Sequence, residues 1–389
     1  MTDSDSTAPN FLPEQYKSDS AASINHNYLR EQFADCDDIL AKVREVVVRG
    51  DFTLGGEVDQ LENEYAELCG ASHAVAVGSG TDALLLSLKA AGVTEGDEVI
   101  TTPFTFYATV GAIVTAGAVP VFVDVGDDYN IDAAQIASKI NKNTKAIMPV
   151  HWSGRPCEMD VIESIGEKHG IPVVIDACHA ICASYKERKV GEMGTASCFS
   201  FHPLKNLNVW GDGGIVTTNS AHICNQIRLL RNHGLVSRDQ CQIFAYNSRL
   251  DTIQAVIARH MLCKIAHITE SRIANAAYFD AQLAGTSGII LPERRADIRE
   301  VFHLYSLLCE ERDHLQKFLL GNGIDAKIHY PTPMHLQPAA AFLGHQIGDF
   351  PKAEEICSQT LSLPVHEFIL REQQDHVIAC VKDFYGQQS

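Results

Sequence analysis

Ala74-Val75-Ala76-Val77 runs straight into Gly78-Ser79-Gly80-Thr81-Asp82-Ala83 and then into Leu84-Leu85-Leu86-Ser87-Leu88. A short apolar strand run, a glycine turn and an apolar helical run form the basic unit of an open α/β sheet. The first helical N–H groups then face the crevice at the strand end, where a phosphate binds well. The turn also fits the G-x-G-x-x-A dinucleotide pattern, which requires an acid at the end of the following strand. Here Glu95, Asp97 and Glu98 precede that strand, and its far side reads Thr101-Thr102-Pro103. A phosphate cradle is the preferred reading, and a plain structural turn is the bland one.

The same rhythm extends outward from this stretch. Glu98-Val99-Ile100 precedes the amphipathic run from Tyr107 to Ala116, Ala118 to Val123 precedes Ile131 to Ile140, and Lys145 to Val150 precedes Met159 to His169. Ile171 to Ile175 and Gly214 to Thr218 add two more strand-like runs. Such alternation predicts a mostly parallel sheet covered by helices. A second unit follows the long helical sequence that ends near Ile273, with Val301 to Cys309, Leu315 to Leu320, His329 to Leu336 and Gln373 to Tyr385 as its elements. The expected fold class is therefore α/β: a large domain over residues 24–265 and a smaller carboxyl-terminal α/β domain over 266–389. Residues 1–23 are rich in Ser, Asp, Ala and Pro and are expected to form a mobile arm.

The 389 residues are 46% apolar and 21% charged, a globular composition, and a net charge of -18 disfavours nucleic acid and anionic membranes as partners. Twelve scattered cysteines and an amino terminus without a basic and apolar leader point to reduced thiols in the cytoplasm. The uncharged stretch from Thr101 to Val123 contains two prolines and two glycines and reads as loop, helix and strand, not as a membrane span.

Two more residues carry chemistry. Asp176 closes the apolar run Ile171-Pro172-Val173-Val174-Ile175, at the sheet edge where ligands collect, although a helix cap is an equal reading. Lys205 sits in Ser200-Phe201-His202-Pro203-Leu204-Lys205-Asn206-Leu207, ahead of Gly211-Asp212-Gly213-Gly214. A surface lysine is the usual case, but a desolvated one is a nucleophile toward aldehydes. Phosphate cradle, strand-end Asp and sequestered Lys are the three anchors of a pyridoxal 5'-phosphate site. Cys178-His179-Ala180-Ile181-Cys182 has no second ligand pair, so no metal site is expected.

With Pro103-Phe104-Thr105-Phe106, Asp176-Ala177-Cys178-His179-Ala180, Leu230-Arg231-Asn232-His233-Gly234, Tyr246-Asn247-Ser248-Arg249-Leu250-Asp251 and His329-Tyr330-Pro331 added, the chain resembles the DegT/DnrJ/StrS family of pyridoxal-phosphate-dependent sugar aminotransferases from about Asn27 to Phe384. The resemblance implies the aspartate-aminotransferase fold (fold type I) and transfer of an amino group from L-glutamate to a nucleotide-linked ketosugar, with a leaning toward a 3-keto sugar. It implies Lys205 as the Schiff-base lysine and proton carrier, and Asp176 as partner of the pyridinium nitrogen. Phe106 would stack on the ring, His179 would reach the phenolic oxygen, and Gly80, Thr81 and Ser200 would hold the phosphate. Asn247 would reach it from the second subunit of a homodimer. Arg249, Tyr330 and His335 would contact donor or sugar, with a rigid loop as the bland reading of His329 to Gln337. Pyridoxamine phosphate would be the intermediate cofactor form.

Two positions depart from the family pattern: Cys178, often Ala, and His202, often Tyr. Neither removes a proposed chemical group, and packing is the favoured reading of His202. No arginine lies between Arg312 and Arg371, where transaminases acting on two amino acids keep a carboxylate-binding arginine. The rival readings are a sugar dehydratase, which would carry His in place of Lys205, and a non-catalytic regulator, which would have lost Lys205 or Asp176.

Overall fold

The computed structural model describes residues 22–386, so the expected arm lies outside the described residues apart from Ala22 and Ser23. Seven strands build the central sheet: β1 (His73–Val77), β2 (Glu98–Thr101), β3 (Val119–Phe122), β4 (Thr144–Ile147), β5 (Val174–Asp176), β6 (Ala196–Ser200) and β7 (Gly214–Thr218). Their spatial order is β1-β7-β6-β5 and β4-β2-β3. The two groups meet through parallel bridges from Ile147 to Val173 and from Val150 to Asp176. The sheet is mostly parallel, as the sequence rhythm predicts. Strand β7 is the exception, antiparallel to both β1 and β6. The connection from Phe201 to Gly213 contains no crossover helix, and a chain that returns without one pairs antiparallel.

Both faces of the sheet are covered, which is why its strands read as continuous apolar runs. Successive residues point to opposite faces. Ala74, Ala76, Ile100, Ile147 and Ile175 join one apolar layer, and Val75, Val77, Val99, Ala146 and Val174 join the other. Helices α1 (Cys36–Arg49), α2 (Gly56–Cys69), α3 (Gly80–Ala90), α4 (Tyr107–Thr115), α5 (Ala133–Lys139), α6 (Met159–His169), α7 (Ala221–Leu230) and α8 (Thr252–Leu262) surround it. The N-cap of α3 is Ser79, whose hydroxyl accepts from Asp82 N–H at 3.0 Å. Helix α6 stops at Gly170, where φ of +64° turns the chain toward β5.

After the long helix α9 (Ile265–Leu283), a second apolar core forms around the antiparallel strands β8 (Ile289–Ile290), β9 (Tyr305–Cys309) and β10 (Thr360–Leu363). Helices α10 (Arg312–Gly321), α11 (Pro351–Gln359) and α12 (Arg371–Gly386) pack on them. Ile24 lies in this second core although the sequence reading groups it with the large unit: it pairs with Ile324, and its carbonyl accepts from Asp325 N–H at 2.9 Å.

Burial holds several histidines neutral, and this has a measurable consequence. It lowers His151 to about 3, and His329 and His366 to about 4, with Lys205 and Lys327 adding to the effect at His329 and Arg272 at His366. The unfolded chain takes up protons at these residues below about pH 6.5, while the folded chain does not. Stability is therefore complete above that value and falls by about 1.4 kcal/mol per pH unit for each such histidine as the pH drops toward the folded values. Thermal denaturation between pH 8 and pH 4.5 is expected to show a plateau and then a steep loss below about pH 6.5. A melting midpoint constant across that lower range would contradict this.

Candidate active site

The carboxyl ends of β1, β2, β5 and β6 converge on one crevice. At the end of β1, a Cβ on Gly80 would lie 2.6 Å from Ser200 Cβ, and one on Gly214 would lie 2.4 Å from the Ser79 carbonyl oxygen. The turn therefore packs directly onto β6 and β7. Ser248 braces it, its Oγ accepting from Gly78 N–H at 3.1 Å and donating to Asp82 Oδ2 at 2.8 Å. The N–H groups of Gly80 and Thr81 make no hydrogen bond among the described residues, and Ser200 stands opposite them. A Gly80→Ala chain is expected to lose about 1–3 kcal/mol of cofactor affinity or fold stability through overpacking against Ser200. Equilibrium titration with pyridoxal phosphate together with a thermal melt reads it, and unchanged values in both would refute the contact.

Asp176, at the end of β5, is 6% exposed. Its Oδ2 accepts from Thr109 Oγ1 at 2.7 Å and its Oδ1 from Cys178 N–H at 3.2 Å. Because the Thr109 proton is committed to Asp176, Thr105 donates to Thr109 across their 2.7 Å contact. This threonine relay, from α4 and the turn before it, orients the carboxylate, and no local pattern in the sequence singles it out. Lys205 lies in the crevice without a hydrogen-bond partner for its amine among the described residues. Burial pushes its pKa down, against the pull of Cys178 and Asp176. A narrow recess beside it is lined by Tyr65, Cys178, His179, Ser200 and Phe201 among others.

His179 is 6% exposed, and its Nδ1 accepts from Ser153 N–H at 3.3 Å, so Nε2 carries the proton and the ring is a neutral donor. Burial, Lys205 and His329 hold its pKa well below the usual imidazole value. Trp152 meets its edge at 5.6 Å, and Tyr330 meets Trp152 at 5.5 Å. Phe106 is 45% exposed at the N-cap of α4, and its ring lies 5.2 Å from Tyr107 and 5.7 Å from Tyr330. Tyr330 thus comes to the crevice from the second unit, and Met334 N–H donates to Pro103 O at 2.8 Å to pin its loop there.

The departures from the family pattern have packing roles. Burial and Asp176 push the Cys178 thiol well up, which keeps it protonated, and its sulfur fits beside Gly80. His202 Nδ1 accepts from Leu204 N–H at 3.3 Å, inside the loop that carries Lys205. Other expected residues lie elsewhere. His335 is 2% exposed, bonds Glu354 Oε1 at 3.0 Å and packs on Phe350, an anchor for the loop and not a surface of the crevice. Arg249 donates to Asn232 Oδ1 at 3.2 Å, and Asn247 is exposed one residue before Ser248.

This architecture, a seven-stranded mostly parallel sheet with lysine, aspartate and glycine turn at its carboxyl edge and a smaller antiparallel unit behind, is that of fold type I, the aspartate-aminotransferase class. The DegT/DnrJ/EryC1/StrS aminotransferase family model matches residues 34–382, and the chain belongs to that family. It is 41% identical to a UDP-N-acetyl-3-dehydro-alpha-D-glucosamine 3-aminotransferase of Acidithiobacillus ferrooxidans, over 91% of this chain and 95% of that one. It is also 41% identical to a "pleiotropic regulatory protein" of Geobacillus stearothermophilus, over 92% and 97% of the two chains. Among solved structures it resembles S. venezuelae DesV, crystallised "in complex with ketimine intermediate", with a TM-score of 0.91 and 36% identity over 93% of this chain and 98% of that one.

Proposed function

We propose that the chain is a pyridoxal-phosphate-dependent aminotransferase that moves an amino group from L-glutamate to the keto group of a nucleotide-linked sugar, with carbon 3 the favoured position. The observation that carries the reading is the half-buried Lys205, its amine without a hydrogen-bond partner among the described residues, in one crevice with the doubly held Asp176 carboxylate and the open N–H groups of Gly80 and Thr81. Those groups fit the cofactor: Gly80, Thr81 and Ser200 would take the phosphate, Asp176 the ring nitrogen, His179 Nε2–H the phenolic oxygen and Phe106 the ring face. When bound, the cofactor supplies an aldehyde and an electron-accepting ring.

The chain's own residues do the rest. Lys205 Nζ, its basicity lowered by burial, is free to act as nucleophile and then to take a proton from the donor's α-carbon and return it to the other carbon. Asp176 would favour a proton on the ring nitrogen. His179 stays a donor because Ser153 N–H occupies its other nitrogen. Tyr330, Trp152 and Phe106 wall the crevice and exclude water.

We also propose a cytoplasmic homodimer in which Asn247 reaches the partner's site. All twelve cysteines are free, no helix among the described residues is long and apolar enough to cross a membrane, and Val48, Phe52, Trp210 and Phe244 expose apolar surface for a second copy. A monomer with full activity in sedimentation would rule the shared site out. The Geobacillus relative's name speaks of regulation, but a regulator needs neither Lys205 nor the threonine-held Asp176.

The reading is tested by the visible spectrum of the purified chain with pyridoxal phosphate. A yellow band that bleaches on adding L-glutamate and returns with a nucleotide ketosugar supports it. A band indifferent to every amino acid would overturn the transaminase assignment.

A further inference from the structure

His303 lies outside every motif of the sequence and has no role in the chemistry above. It enters the crevice from the segment leading into β9, and its ring sits 4.3 Å from the ring of His179, tilted by 37°. The two rings are protonated at opposite nitrogens. Asn206 Nδ2 donates to the Val301 carbonyl at 3.2 Å, which fixes the amide so that Asn206 Oδ1 faces His303 Nδ1 at 3.4 Å. An amide oxygen only accepts, so His303 Nδ1 carries the hydrogen. Asn206 is the residue after Lys205.

One residue secures both histidines. Ser153 N–H donates to His179 Nδ1, and the Ser153 carbonyl accepts from His303 N–H at 2.8 Å. Its Oγ donates to the Leu304 carbonyl at 2.5 Å. Ser153 and Phe302 both adopt left-handed backbone conformations, with φ of 61° and 47°, which non-glycine residues take only where the surroundings demand it. At the adjacent Gly154 a Cβ would lie 2.7 Å from Val301 Cγ2 and 2.8 Å from the His179 carbonyl oxygen, so the two segments touch backbone to backbone.

We propose that His303 is a positioning residue for the reaction: its ring closes the face of His179, and its Nδ1–H, through Asn206, holds the segment that carries Lys205. The inference rests on the transaminase reading of the crevice. The groups bearing on the pair are Lys205, His329 and, at His303, Arg272, all of them cationic when charged, and no carboxylate is among them. With water kept off the shared face, His179 remains an uncharged Nε2–H donor throughout the working pH range.

The test is the downfield proton spectrum of the full chain loaded with pyridoxal phosphate, in which the Nε2–H resonance of His179 is assigned by its loss in His179→Gln. In the wild type it is expected to persist unshifted from pH 8 to pH 5.5. His303→Asn keeps a donor for Asn206 but removes the ring, so the resonance is expected to begin to titrate within the pH 8 to 5.5 window, with a midpoint that moves up toward but stays below about 6.5, the open-water imidazole value, because Lys205, His329 and the Ser153 N–H remain. His303→Phe keeps the ring and removes the donor: the resonance stays, while the rate of glutamate-driven bleaching falls about tenfold with KM little changed. A resonance that stays unshifted in His303→Asn, or one that titrates above pH 6 in the wild type, would overturn the proposal. Absence of glutamate-driven bleaching in the wild type is the separate failure of the transaminase reading, seen before any variant is made.

Discussion

Lys205→Ala is expected to abolish turnover, with the amino-group transfer rate down by at least about 10⁴-fold, and to prevent borohydride from fixing the cofactor to the chain. On the proposed mechanism two tasks disappear at once, because the same Nζ would be both nucleophile and proton carrier. Lys205→Arg separates charge from chemistry: a guanidinium keeps the positive charge but cannot be deprotonated in a protein, so it is expected to be as inactive as Ala. Neither result should come from unfolding. The wild-type side chain is half-buried, its amine has no hydrogen-bond partner among the described residues, and partial burial lowers its pKa, so removing it relieves a desolvation cost. The melting temperature of Lys205→Ala is expected to equal or exceed that of the wild type. A variant that turns over substrate would overturn the site, whatever its stability.

How much of this was legible in the sequence depends on whether a feature is local. The strand–turn–helix units are legible within a few residues, since their chemistry is short-range, whereas Asp176 and Lys205 each carry a bland local reading of equal or greater weight and gain meaning only together and through the family resemblance. The antiparallel β7 was not legible, because its direction follows from the absence of a helix between Phe201 and Gly213, a stretch whose apolar content alone does not say so. The residues that tune the site were also hidden. Thr109 lies 67 positions from Asp176 in sequence, and Ser153 lies 26 from His179, so only tertiary packing brings them together. His303 had a signal of a kind, a histidine in an otherwise apolar segment, but that pattern most often marks a satisfied core residue. His335 shows the reverse. It stands in a segment resembling a sugar-binding loop, yet Glu354 collects its ring together with the Gly348 and Phe350 N–H groups, a knot formed across a turn no local pattern foretells.

Asp176→Asn should be the second most damaging substitution, and the reason lies in what the pocket lets the amide do. Asn fits the same space, and Cys178 N–H must still find an acceptor, so the amide oxygen turns to it and the NH2 turns to Thr109. Thr109 Oγ1 then accepts and donates its own hydrogen to Thr105 Oγ1, reversing the relay and leaving only the Thr105 hydroxyl hydrogen without an acceptor among the described residues. The fold is therefore expected to tolerate the change, with a melting temperature close to that of the wild type. What cannot be reversed, on the proposed reading, is the loss of negative charge where the ring nitrogen would lie. An uncharged amide no longer favours a proton there, and the ring loses much of its capacity to accept electrons when Lys205 removes the α-proton. The rate of glutamate-driven bleaching is expected to fall by about 10³-fold, in line with removal of one preorganised electrostatic group. Asp176→Glu makes the complementary case: it keeps the charge but moves it about one bond length from the threonine relay, and a misplacement of that size costs about 10²-fold. Stopped-flow bleaching with L-glutamate ranks the three chains. If Asn proved faster than Glu, position and not charge would be what Asp176 contributes.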